Sequence, residues 1–166
     1  MAGYINADIN ADLPGLDLVC ALDEIPVEDN TYTELLASHC IEHVPIPIAK
    51  KALREWVRVL EPGGLAVIDT PNLQRNTRLY LDYERCSCWM SDFNTLTPAE
   101  QERLTLNGKP NKSLWINFKI FSSEHLYDVH YWNADPELLM TLCSEAGFSH
   151  VQVAQTEPSL IIKARK

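Results

Sequence analysis

The sequence predicts an α/β protein built as a single domain over residues 1–166. Three observations predict it. Leu35-Leu36-Ala37 and Leu65-Ala66-Val67-Ile68 are short apolar runs of strand length, and an amphipathic helix lies between them. A second amphipathic helix follows Asp135, and two more strand-like runs follow that helix. Strand–helix–strand alternation of this kind predicts a mostly parallel sheet with helices on both faces.

The elements follow in order. Tyr4 to Ile9 alternates and ends at a polar turn, as a strand does, and Leu16 to Leu22 is a second strand. Glu34 to Ser38 is a short buried strand. The helix after Pro47 places Ala49, Leu53, Trp56, Val57 and Leu60 on one face, and Glu61-Pro62-Gly63-Gly64 stops it. Leu65 to Asp69 reads as a strand buried on both faces. From about 74 to 133 the pattern breaks down, and this stretch reads as an insertion over the sheet edge. It contains one helix after Thr97-Pro98 and a loop at Asn107 to Asn111. Asp135-Pro136-Glu137 starts the last helix, lined by Leu138, Leu139, Leu142, Cys143 and Ala146 and ended by Gly147. Val151–Val153 and Leu160–Ile162, on either side of Glu157-Pro158, form a closing antiparallel hairpin.

Composition narrows the function classes. The chain of 166 residues is long enough to bury a core, and its 46% hydrophobic and 22% charged fractions are those of a globular protein. A net charge of −9 argues against a nucleic-acid backbone or an anionic membrane as partner. The sequence shows no signal-peptide pattern and no bilayer-spanning run, so it reads as cytoplasmic. Of the five cysteines, Cys20, Cys40 and Cys143 sit in apolar segments as buried thiols. Cys86 and Cys88 form a CxC with no matching second pair, which argues against zinc.

The order GYINADI, DLVCALDEIPVEDNTY, ASHCIEHV, LREWVRVLEPGGLAVIDTPN and LLMTLCSEAGF resembles a class I S-adenosylmethionine-dependent methyltransferase of the small type associated with sugar and polysaccharide modification. The resemblance covers residues 3–72 and about 125–164. It implies a Rossmann-like methyltransferase sheet, S-adenosylmethionine as cofactor, and a saccharide or other small-molecule acceptor. Such sheets open with a strand and a glycine-rich turn that cradles the cofactor. Here Met1 is followed almost at once by GYINADI, which reads as the next strand along, so the expectation is a sheet with its first strand missing. From that follow weak or absent cofactor binding by this chain and a homodimer that covers the gap.

The resemblance also places site residues. Asp8, at the end of its strand, matches the acidic residue that binds the ribose hydroxyls; otherwise it caps the strand end. The partner of the adenine amine falls at Ala21, with Asp23 and Glu24 nearby as substitutes or as solvated loop carboxylates. Ser38 and His39 follow a strand whose carboxyl end faces the cofactor cleft, with His39 nearest the sulfonium. His39 and His43 are candidates for a general base, with Glu42 as partner; alternatively, Glu42 and His43 only hydrogen-bond the turn. No metal is expected, because Glu42 is not placed as in HExxH and Pro45 disturbs the helix. His125, His130, Tyr131 and Trp132 either close over a substrate pocket or pack beneath the insertion. A non-catalytic methyltransferase-like binding or scaffold module is the alternative function. A Rossmann dehydrogenase or epimerase needs a GxxGxxG loop and a Tyr-x-x-x-Lys pair, and the sequence has neither.

Overall fold

The architecture comes from a computed structural model, which describes residues 3–75, 77–78, 81, 90, 94–103, 105–110, 130–156 and 159–166. Cys86, Cys88, His125 and the Glu157-Pro158 turn lie outside the described residues, as does most of the expected insertion.

The central element is a four-stranded sheet in the order β3-β4-β8-β7. Its strands are β3 (Tyr32–Ser38), β4 (Leu60–Pro71), β7 (Ser149–Gln155) and β8 (Ser159–Arg165). β3 and β4 run parallel, with Glu34 opposite Leu65 and Ser38 opposite Asp69, as the alternation predicts. β7 and β8 form the expected antiparallel hairpin, and β8 pairs antiparallel with β4. The sheet is therefore mixed rather than mostly parallel. The antiparallel β4–β8 pairing, in addition to the expected hairpin, makes it so, and the three residues between β7 and β8 are too few for the crossover that a parallel partner needs.

The N-terminal region forms less strand than its pattern suggests. β1 (Ala7–Asp8) and β2 (Leu18–Val19) make a separate parallel pair. The rest of Tyr4–Ile9 and Leu16–Leu22 is not strand. Among the described residues no ladder joins β1 to β3; the Tyr4 hydroxyl instead donates to Glu34 Oε2 at 2.6 Å. A cleft of about 190 Å³ lies between them, lined by Tyr4 to Ala7 and Leu36.

α1 (Ile46–Val59) starts at Pro45 with proline in its first turn, where the missing N–H costs nothing. It buries Ala49, Ala52, Leu53, Trp56 and Val59. Beyond it, Pro62-Gly63-Gly64 does more than stop a helix, because the turn lies inside β4. Gly63 has φ +81°, and a Cβ on Gly64 would sit 2.9 Å from the Glu61 carbonyl oxygen, so both positions call for glycine.

α2 (Pro98–Arg103) follows Thr97 as expected. Within the expected loop at 107–111, Asn107-Gly108 is the tip of a small hairpin, β5 (Thr105–Leu106) against β6 (Lys109–Pro110). Asn107 at φ 53° and Gly108 at φ 72° supply the left-handed pair that such a turn requires.

α3 (Pro136–Ala146) is capped as predicted. The Asp135 carboxylate accepts from the Leu138 amide at 2.9 Å, and Gly147 ends the helix at φ 108°.

The core is a single cluster. Trp56, Leu53 and Ala49 of α1 and Leu139, Leu142 and Cys143 of α3 pack on Ala37, Ala66, Ile68, Leu160, Ile162 and Ala164. The described long helices thus share one sheet face, not two. The alternate strand positions Leu36, Leu65, Val67 and Ile161 are part-exposed or exposed, with Leu36 at 43%. Leu35-Leu36-Ala37 is accordingly half-buried rather than buried. Likewise Cys143 is buried, but Cys20 and Cys40 are only partly so. No described helix is long and apolar enough to cross a membrane.

Candidate functional site

The carboxyl ends of β3 and β4 lie side by side, and the chain after β3 turns sharply there. His39 takes a left-handed conformation at φ 49°, which is strained for a residue with a Cβ. Its amide donates to the Asp69 carbonyl at 2.8 Å, which extends the β3–β4 ladder by one bond. A single 3-10 turn, Ile41–His43, follows and buries Ile41 and Glu42.

This turn brings Glu42 back under His39. Glu42 is fully buried, and its Oε1 lies 3.2 Å from His39 Nδ1. Glu42 Oε2 accepts from the Thr70 hydroxyl at 3.1 Å. The His39 ring is 47% exposed, and its Nε2 faces Ser159 Oγ at 3.5 Å and Asp69 Oδ1 at 3.8 Å. With Nδ1–H donating to the carboxylate, Nε2 is an acceptor at the mouth of the site, within reach of the Ser159 hydroxyl. A carboxylate that fixes the tautomer and orientation of an imidazole is the arrangement used for general bases.

His43 is placed differently. Its Nε2 lies 4.0 Å from Glu42 Oε1, and its ring packs edge-on against His130 with centroids 4.7 Å apart. His43 Nδ1 is buried without a hydrogen-bond partner among the described residues. The structure therefore separates the two candidate histidines: His39 faces outward over Asp69 and Ser159, and His43 faces inward to His130.

The segment before α3 is tied to this turn by a backbone bond and a side-chain bond. The Tyr131 amide donates to the Glu42 carbonyl at 2.8 Å, and Trp132 Nε1 donates to the Val44 carbonyl at 2.9 Å. Asn72 bridges to Ala134, and the Leu73 amide donates to the Ala134 carbonyl, so the two ends of the intervening segment meet.

Asp8 ends β1 and its Oδ1 accepts from the Asn10 amide at 2.8 Å, which leaves the other oxygen available among the described residues. Burial first, then the charges of Glu42 and Asp8, push the Cys40 thiol up to about 12, so the Asp8 carboxylate reaches the turn after β3 electrostatically. Asp23 sits in the tight turn bridged by Ala21 and Glu24. Ser38 is the exposed last residue of β3, opposite Asp69.

Sequence reasoning missed Asp69, Thr70 and Ser159. Asp69 carried a signal, an acidic residue at the carboxyl end of a strand. Ser159 carried none, since it is brought to His39 only by the β4–β8 register.

A methyltransferase-domain family matches residues 5–68. No curated protein matches the chain. Solved structures match it over most of its length. The S-adenosylmethionine-dependent methyltransferase of Archaeoglobus fulgidus is 15% identical, with 98% of this chain and 75% of that one covered at TM-score 0.57. A methyltransferase of the same dependence from Thermotoga maritima is 17% identical, with 92% and 65% covered at TM-score 0.52. Human N-acetylserotonin methyltransferase, solved with S-adenosylmethionine, is 16% identical, with 91% and 34% covered at TM-score 0.53. The chain spans about a third of the human enzyme and 65% of the Thermotoga one. The fold is thus the Rossmann-like α/β fold of the S-adenosylmethionine-dependent methyltransferases, and the family match falls on β1 through most of β4.

Proposed function

We propose that this chain is an S-adenosylmethionine-dependent methyltransferase domain acting on a hydroxyl of a saccharide or similar small molecule. The observation that carries the reading is the exposed His39, held by buried Glu42 at the carboxyl ends of β3 and β4. Ligands of open α/β sheets bind at that edge. The cofactor supplies an activated methyl group, so the protein's share is alignment and removal of the acceptor's proton.

The residues fit the cofactor in part. The free Asp8 oxygen suits a ribose diol. Ala21 offers the adenine amine no side-chain acceptor, and its carbonyl already accepts from the Glu24 amide at 3.3 Å. Asp23 is the nearest replacement, and Ser38 lies beside His39 at the cleft. With the adenine amine unmet at Ala21, the reading expects weak S-adenosylmethionine binding; an unmet polar group costs about 1–3 kcal/mol.

His39 Nε2 takes the acceptor's proton. Glu42 keeps Nδ1 protonated and steadies the imidazolium that forms, and Thr70 holds Glu42 in place. His43, backed away from the opening, positions the turn. The reading carries with it a cytoplasmic homodimer and an insertion at about 74–133.

Two measurements test it. Calorimetry with S-adenosylhomocysteine, on wild type and Asp8→Ala, should show weak saturable binding that the substitution abolishes. Transfer of labelled methyl groups to a panel of saccharides should fall at least 100-fold in His39→Gln. Binding absent even at millimolar ligand would favour the non-catalytic module, and full activity in His39→Gln would remove the base.

A further inference from the structure

Glu42, His43 and His130 come together although 87 positions separate the two histidines in the sequence. Each offers one ligand atom, and these atoms all lie within 4.8 Å of one another. We propose that they form a site for a divalent transition ion of zinc's type, two imidazoles and one carboxylate, which locks the segment before α3 onto the turn after β3.

Four observations carry this. The ligand chemistry is that of zinc sites with two histidines and one acidic residue, with a fourth position left for water. The spacing is close: an ion among the three atoms starts no more than about 2.8 Å from each. Shifts under an ångström bring it to the ~2.0–2.2 Å that zinc prefers. His43 reaches toward Glu42 with Nε2, 4.0 Å from Oε1, and no hydrogen bond among the described residues holds its other ring nitrogen, the buried Nδ1. Lastly, Glu42 is a fully buried carboxylate whose partners among the described residues are a hydroxyl and histidine rings, with no lysine or arginine. A buried carboxylate needs compensating positive charge, and a divalent ion supplies it.

The framework is already fixed on both sides. Tyr131 N to Glu42 O and Trp132 Nε1 to Val44 O hold the His130 segment against the turn without help from side-chain ligands. Little of the binding energy would therefore be spent on ordering the site. The spacing of His39 and His43 gives no hint of it, because His39 points to the other side of Glu42.

The test needs neither cofactor nor acceptor, so its outcome is separate from that of the methyl-transfer reading. Metal-stripped protein is titrated with zinc chloride by calorimetry, alongside His43→Gln, His130→Gln and the control His150→Gln, whose histidine lies on β7. One saturable site in wild type and in His150→Gln, weakened at least 10-fold in His130→Gln, is the expected result. Cobalt(II) added to the wild-type protein guards against a variant that fails to fold. A visible spectrum of four- or five-coordinate nitrogen and oxygen ligation supports the site. An octahedral spectrum, a thiolate charge-transfer band, or zinc affinity unchanged in His130→Gln overturns it.

Discussion

At the scale of single residues the site rests on Glu42. A carboxylate with no exposure is tolerable only if its oxygens are met, and Thr70 and His39 meet them. Thr70→Val keeps the shape and deletes the hydroxyl donor. It should lower unfolding free energy by about 1–3 kcal/mol in urea titration, because Glu42 is left with an unmet buried oxygen. The thiols give a second check. Burial, then the charges of Glu42 and Asp8, raise Cys40 to about 12, and burial alone raises Cys143 to about 12. Both stay protonated in the fold where an unfolded thiol ionises near 9. The unfolded chain therefore binds fewer protons between pH 9 and 12, and this contribution to stability is whole below pH 9 and lost as pH rises through that window. At pH 8 a thiol reagent should label Cys40 and Cys143 in denaturant and leave both unlabelled in the native protein.

At the scale of elements, Arg58 joins α1 to the irregular chain before β3. Its guanidinium donates to the carbonyls of Ile25 and Val27 and to the carboxylates of Asp29 and Glu55, each at 2.8–2.9 Å. Only a planar fork of several donors reaches all four. Arg58→Lys should therefore cost roughly 1–3 kcal/mol, nearly as much as Arg58→Ala, by chemical denaturation. The same contact has a pH signature. Hydrogen bonding from Arg58 holds the Glu55 carboxyl below its usual value of 4.5, against the opposing effect of its burial. Its stabilisation is present above pH 4.5 and lost as pH falls through the lowered folded value. Glu55→Gln should flatten the acid limb of a stability–pH curve, and an unchanged limb would remove Glu55 as its source.

At the scale of the whole molecule, β3 pairs only with β4 among the described residues. Leu36 faces the cleft beside this unpaired edge, and Ile5, Ile9 and Val19 are more than half exposed. An open edge flanked by exposed apolar side chains is a template for association. Light scattering at micromolar concentration should show a species of twice 18.8 kDa, and Leu36→Lys should return it to the monomer. A wild-type monomer at that concentration excludes the pairing.

The sequence by itself determined the local choices. Periodicity marked α1 and α3, Asp135 and Gly147 marked the ends of α3, and the apolar runs marked β3, β4 and the closing hairpin. Those signals are local because capping bonds and amphipathic faces involve residues a few positions apart. The turn after β3 was singled out in the sequence because strand ends open onto the ligand edge of such sheets, and the structure places His39 there beside Glu42. Tertiary structure decided the rest. The antiparallel pairing of β8 with β4 made the sheet mixed, and the packing of α3 on α1 put both helices on one face. Which histidine meets which partner depended on the left-handed turn at His39, on the register that sets Ser159 opposite Pro71, and on the bonds from Tyr131 and Trp132 that deliver His130. None of these is written in a window of neighbouring residues, because each is the meeting of segments that only the folded chain brings within hydrogen-bonding distance.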